Sequence, residues 1–293
     1  MSKSPLAMHL NDRKIDLTLR LYVDPADEDY VQARSAYRLG LFHAFYWSAG
    51  QACEKYLKGL LLLQDRSAQN YGHDLVSLFR DVCQKDPDNI IPNTLNLPET
   101  TARGRERWHG ETAALFIEYL AKYGSPDNRY AFEGTFVNGP VLHALDILCC
   151  AFRRLMRAVN LTGGDLFGHQ STELMFHERI DADQNWMIDP TRLLERLYVK
   201  RYSVGQSRAL RDTFSNMNFA FFETRSEGES SFGGEHYHGS PLHNHLVRLA
   251  RIDASPSNVA AIEQLRAWAA VNIYMSAEVR GQLDLPKAVR RPR

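Results

Sequence analysis

Phe42-His43-Ala44-Phe45, running into Ser48-Ala49-Gly50-Gln51-Ala52-Cys53-Glu54-Lys55-Tyr56-Leu57-Lys58-Gly59 and then Leu60 to Leu63, decides how this chain is read. Phe45, Ala49, Ala52, Tyr56, Leu57, Leu60 and Leu61 recur at three- and four-residue spacing, which gathers side chains into one apolar stripe along an α-helix. Glu54 and Lys58 are set for an i,i+4 ion pair on that helix. Toward the N-terminus, Tyr30, Ala33, Ala36, Tyr37 and Leu41 carry the same period from Asp27 to Leu39, and Gly40 marks a break. Two helices joined by so short a turn are expected to pack as an antiparallel hairpin. Toward the C-terminus, His73-Asp74-Leu75 opens a third helix reaching Cys83, with Asp74 in the first turn, where a negative charge suits the helix dipole.

Proline following a capping residue punctuates the rest of the chain, at Asp24-Pro25, Asp189-Pro190, Ser240-Pro241 and Ser255-Pro256. Residues 84–108 are rich in Pro, Asn, Asp and Arg and predict a long irregular connection. A fourth helix is expected over Glu111 to Lys122, followed by a turn at Gly124-Ser125-Pro126 that leads to Asn128-Arg129-Tyr130. A fifth, Val141 to Val159, carries Leu142, Leu145, Leu148, Cys149, Phe152 and Leu155 inward. Further helical patterns cover Pro190 to Lys200, Ser207 to Phe222 and Pro256 to Leu283, with a Gly/Ser/His loop at Glu227 to Ser240. The expected fold class is therefore all-α.

At 293 residues and 44% hydrophobic content, the chain is large enough for one big core or two smaller ones. Its 35 basic and 35 acidic side chains cancel, which excludes a broadly electropositive nucleic-acid surface and leaves only a local basic patch. Cys53, Cys83, Cys149 and Cys150 show neither C-x-x-C spacing nor a disulfide framework and read as core thiols in a reducing compartment. Met1 to Asn11 lacks the charged region and long apolar run of a signal peptide, and no segment approaches the roughly 18 apolar residues of a membrane span. The expectation is a cytoplasmic protein with no membrane role.

The Ala-x-x-Ala-x-Glu-Lys-x-Leu-Lys run of the second helix, the His73-Asp74-Leu75 opening of the third, and a Leu-x-x-Tyr helix end followed by Arg129-Tyr130 together resemble the HEPN family. The name stands for higher eukaryotes and prokaryotes nucleotide-binding. The resemblance covers about residues 27–160 and implies an antiparallel helical bundle, with Thr162-Gly163-Gly164-Asp165 as a boundary. We therefore expect a HEPN-like bundle over 1–160 and a mostly helical extension over 161–293. The extension is either a degenerate second bundle or part of the same core.

In the ribonuclease branch of that family the resemblance implies an arginine followed roughly four to six residues later by a histidine. Histidine can move a proton near neutral pH, while arginine steadies phosphorane charge, so no metal is required. Arg38 with His43 and Arg103 with His109 both meet the spacing. The first pair straddles the turn between two helices, where packing explains the residues. The second lies in Arg103-Gly104-Arg105-Glu106-Arg107-Trp108-His109 and is the candidate catalytic pair. Without catalysis, Arg105, Arg107 and Trp108 can hold phosphate and stack a base, and the resemblance places Arg129 and Tyr130 along a cleft between helices. The bland alternative is a solvated run balanced by Glu106 and Glu111.

Glu235-His236-Tyr237-His238 and His243-Asn244-His245 offer imidazoles to Zn²⁺, but a loop fixes no tetrahedral geometry, and the expectation is no metal. No Gly-rich phosphate loop with Lys-Ser/Thr is present, which disfavours an ATPase and leaves no cofactor implied. A nucleotidyltransferase of the kind that accompanies HEPN proteins would have to be a separate partner chain. The expected function is a non-catalytic nucleotide- or RNA-associated module, working as a homodimer and binding nucleotide or single-stranded RNA. One alternative is a metal-independent endoribonuclease of toxin–antitoxin or defence type using Arg103 and His109. Another is an interaction module docking a partner through Leu193, Leu194 and Leu197.

Overall fold

The computed structural model describes residues 15–86, 88–96, 112–128, 134–137, 140–162, 184–199, 206–222, 236–238, 247, 251, 255–272 and 280–281. The chain divides into two compact units, Met1–Gly124 with Asn138–Gly234, and Ser125–Val137 with Glu235–Arg293. Among the described residues the first is built of helices. Its described helices are α1 (Asp24–Arg38), α2 (Phe42–Leu63), α3 (Leu75–Cys83), α4 (Ala113–Tyr123), α5 (Val141–Thr162), α6 (Leu193–Tyr198) and α7 (Gln206–Ser215).

The α1–α2 hairpin forms as the periodicity requires. Gly40 adopts φ +71°, and Leu41 N donates to Ala36 O at 2.9 Å and Gly40 N to Tyr37 O at 3.0 Å, so the chain reverses while satisfying the last carbonyls of α1. Tyr37 packs edge-on against Phe42 and Phe45 across this turn, with ring centroids 5.8 and 5.2 Å apart. The α2 stripe is buried throughout, and α2 packs against α1, α3, α4 and α5, making it the centre of the bundle. At Gly124 the α4 terminus comes so close to α2 that a Cβ there would lie 2.3 Å from Tyr46 O.

Several boundaries differ from the sequence reading. Asp24-Pro25 does not start a helix: the chain is already helical from Ile15, and Leu19–Val23 forms a π-helical segment running directly into α1. Pro25 has no N–H to return to the preceding turn, and the widened turn accommodates it, with Asp24 N donating to Leu19 O. Asp74 sits one position before α3, not inside it, and its carboxylate accepts from Ser77 N at 3.0 Å. Thr112 caps α4 in the same way through Leu115 N at 3.2 Å, so that helix begins at Ala113 rather than at 111. α6 begins three residues after Pro190, because the Asp189 carboxylate first closes a turn by accepting from Thr191 N at 2.7 Å. α7 stops at Ser215, short of the expected Phe222, at a turn in which Met217 has φ +57°.

The segment from Gln184 to Phe222 lies within the first unit. α6 and α7 both pack on α1, and Trp186, Phe214 and Phe221 gather with Tyr30 into one aromatic cluster with centroid separations of 4.9–6.3 Å. Leu194 and Leu197 are fully buried there and Leu193 is half-buried, so this face packs into the core of the unit, which is evidence against the alternative that it docks another chain. In the second unit, β1 (Thr135–Val137) pairs antiparallel with β2 (His236–His238), Phe136 opposite Tyr237, and α8 covers Pro256–Asn272. These residues fall within the stretch the sequence places in a loop, since three residues are too few for a strand period to show.

Candidate functional site

The arginine–histidine candidates Arg103 and His109, with Arg105, Arg107 and Trp108, lie outside the described residues, as do Arg129 and Tyr130. His243 and His245 fall outside as well. Among the described residues no cluster of three or more His, Cys, Asp or Glu side chains could hold a metal ion. Arg38 is exposed at the end of α1 and donates from Nη1 to the Asp212 carbonyl at 3.1 Å, while His43 is half-buried in the first turn of α2.

The family-like residues of α2 and the turn before α3 do come together. Lys58 Nζ donates to Glu54 Oε1 at 2.6 Å, as the i,i+4 spacing predicts, and to Gly72 O at 2.7 Å. His73 Nδ1 lies 3.1 Å from both oxygens of the same carboxylate. The Glu54 side chain is 10% exposed and that of His73 64% exposed, so a nearly buried carboxylate orients a solvent-facing imidazole. A carboxylate only accepts hydrogen bonds, which makes Nδ1 the protonated nitrogen.

Beneath this surface, two buried polar clusters cross the bundle. In one, Arg153 of α5 reaches Asp27 of α1 through Nη1, at 2.6 and 2.8 Å from the two carboxylate oxygens, and Glu195 of α6 through Nη2; all three side chains are fully buried. Tyr56 donates to Asp27 at 2.5 Å, and Ile188 N to Glu195 Oε1 at 2.6 Å. Burial, helped by the neighbouring Glu195 charge, pushes Asp27 up to about 6 against the pull of Arg153. In the other cluster Arg34 pairs with Asp146 and donates to Thr213 O at 2.9 Å and Asn216 O at 2.6 Å. Tyr30 donates to Asp146 at 2.7 Å, and Asn218 donates to the Tyr30 oxygen at 2.9 Å. Burial holds the nearby His143 below the ordinary histidine range.

The sequence reading missed these clusters. Their signal was present in part: Asp27, Tyr30, Arg34 and Tyr37 share one face of α1, and Asp146 and Arg153 are two helical turns apart on the inner face of α5. Charges on an apolar face call for partners. Three of the four thiols are buried: Cys53 and Cys149 are hydrogen-bonded to each other, and Cys150 donates to Ala220 O at 3.2 Å, while Cys83 is half-buried.

A hairpin whose long second helix is the bundle's centre, with Glu-Lys-x-Leu-Lys on that helix and His-Asp-Leu at the entry to the next, defines a helical domain of a particular kind. Residues 19–102 match the HEPN domain family model, and the chain carries a HEPN domain. No curated protein and no solved structure matches the chain. Among the described residues no helix is long and apolar enough to cross a membrane.

Proposed function

We propose that this protein is a non-catalytic nucleotide- or RNA-associated module that acts as a dimer. The HEPN domain at 19–102 carries this reading. The core arginines support it from another side. Arg34 and Arg153 are committed to Asp146, Asp27, Glu195 and main-chain carbonyls, so they neutralise the interior and are not offered to phosphate. Phosphate contact falls instead to other groups, the basic run Arg103 to Trp108 first among them by its sequence.

Titration of the full chain with labelled single-stranded RNA tests the proposal. Binding that weakens as salt rises, without cleavage in excess EDTA, is the expected result. No binding even at low salt sinks it. Metal-independent cleavage that disappears in His109→Ala, with the circular-dichroism melt unchanged, replaces it with an endoribonuclease of toxin or defence type using Arg103 and His109.

A further inference from the structure

We infer that Arg196 of α6, with Arg208 and Arg211 of α7, forms a phosphate-binding surface for the backbone of a single-stranded nucleic acid. The inference rests on the nucleic-acid reading above and adds to it a second place of contact, far along the chain from Arg103.

From Arg196 to Arg211 the sequence holds five basic residues, Arg196, Lys200, Arg201, Arg208 and Arg211, and no acidic one. In a chain whose basic and acidic residues cancel at 35 each, such a run concentrates positive charge in one place. Lys200 and Arg201 lie outside the described residues, so the surface rests on the other three. α6 and α7 pack against each other, and Arg211 Nε donates at 3.2 Å to the carbonyl of Leu197, the residue after Arg196. Arg208 precedes Arg211 by three positions on α7, which makes the two neighbours on the helix surface. Arg196 is exposed, and the Arg208 side chain is 89% exposed.

The remaining charges of α6 and its flank are spent elsewhere. Glu195 is fully buried against Arg153, and Arg192 pairs with Asp24. On α7, Asp212 stands 3.9 Å from Arg208, an exposed and loose pairing of one carboxylate against three guanidiniums. The bond to Leu197 O uses one of the five donors of Arg211. A surplus of solvated guanidinium attracts an anion, and each planar fork matches two oxygens of a phosphate. A strand of phosphates meets several such forks at once and releases a counterion at each. Backbone contact of this kind carries no base information, so binding through it is independent of sequence.

The test is fluorescence anisotropy of a labelled single-stranded RNA with the full chain across a range of salt. The variants are Arg196→Gln/Arg208→Gln and the control Arg20→Gln/Arg80→Gln, which removes the same charge from exposed arginines of other helical segments. Each phosphate contact on a single strand adds about 0.7 to the salt slope. Losing two should lower the slope by about 1.4 and weaken binding roughly tenfold at about 0.15 M salt. The control, which changes only the net charge, should stay within about twofold. Unchanged affinity and slope in the first variant, or an equal loss in the control, overturns the inference and leaves the nucleic-acid reading standing. Displacement of the RNA by polyglutamate as effectively as by unlabelled RNA, at equal charge concentration, overturns it in favour of an acidic peptide. Should the first variant melt lower than the wild type, Asp212→Asn decides: tighter binding supports the surface, and unchanged affinity overturns it. Failure of the wild type to bind at low salt overturns both this inference and the reading it rests on.

Discussion

Replacing Arg153 by methionine should remove a large fraction of the stability of the first unit. Methionine keeps much of the length and volume of the side chain but leaves Asp27 and Glu195, both fully buried, without the guanidinium that neutralises them. Breaking a buried ion pair from one side costs about 3–5 kcal/mol, and here one arginine serves two carboxylates, so the upper half of that range applies at pH 7. Against a total of about 5–15 kcal/mol for a typical domain, the loss is severe. The cost must shrink on acidification, because a carboxylate stranded without its cation can take up a proton instead. Urea unfolding followed by tryptophan fluorescence reads the effect, with Trp186 the reporter beside the triad, since that ring is fully buried 5.5 Å from the Arg153 guanidinium. The expected result is a loss of about 4 kcal/mol at pH 7 and a clearly smaller one at pH 5. Replacing all three members together, as Asp27→Asn, Glu195→Gln and Arg153→Met, should recover much of the loss, since no buried charge then remains. A change under about 1 kcal/mol at pH 7, or one independent of pH, would falsify the view that this triad is held by charge compensation.

Two other outcomes follow from the same clusters. Ending the chain after residue 162 removes Glu195, the carbonyls of Thr213 and Asn216 that receive Arg34, and the buried rings of Trp186, Phe214 and Phe221. The shortened protein should lose its cooperative melt and aggregate on size exclusion, and a soluble monomer melting as sharply as the full chain would contradict the shared core. The pH dependence has two opposing parts. Asp27, raised from 3.8 to about 6, favours the folded state most below about pH 4, and that contribution is lost as pH rises through about 6. His143 is depressed below 6.5 by burial, so protonating it favours unfolding and stability falls as pH drops below 6.5. Comparing urea midpoints between pH 4 and 8, Asp27→Asn should abolish the first slope and His143→Gln the second; unchanged slopes in either variant would remove that residue from the explanation.

How much of this was legible in the sequence differs from one element to the next. The α1–α2 hairpin was readable because its determinants are local: the apolar period, Gly40 at a positive φ, and Glu54 four residues before Lys58. The entry to α3 was readable to within one residue for the same reason. The continuous helix through Asp24-Pro25 was not, because the proline signal that marks a first turn is indistinguishable in sequence from a proline accommodated by a π-turn. The Glu54–His73 contact was half legible. Its residues stood out as a family-like pattern, but their convergence on one carboxylate depends on how the α2–α3 connection folds back 19 positions later.

By itself, the sequence determined the helical class, the hairpin at its heart and the HEPN domain, since each rests on spacings of one to four residues along the chain. Tertiary structure alone decided the interior. Arg153 finds Glu195 at a separation of 42 residues and Asp27 at 126, Arg34 reaches the carbonyl of Asn216 across 182, and Asn218 meets Tyr30 across 188. A charged side chain on an apolar stripe announces that a partner is required, because an unpaired buried charge is too costly to keep. Which partner satisfies it depends on how distant segments pack, and that is why residues 184–222 belong to the same interior as the HEPN hairpin.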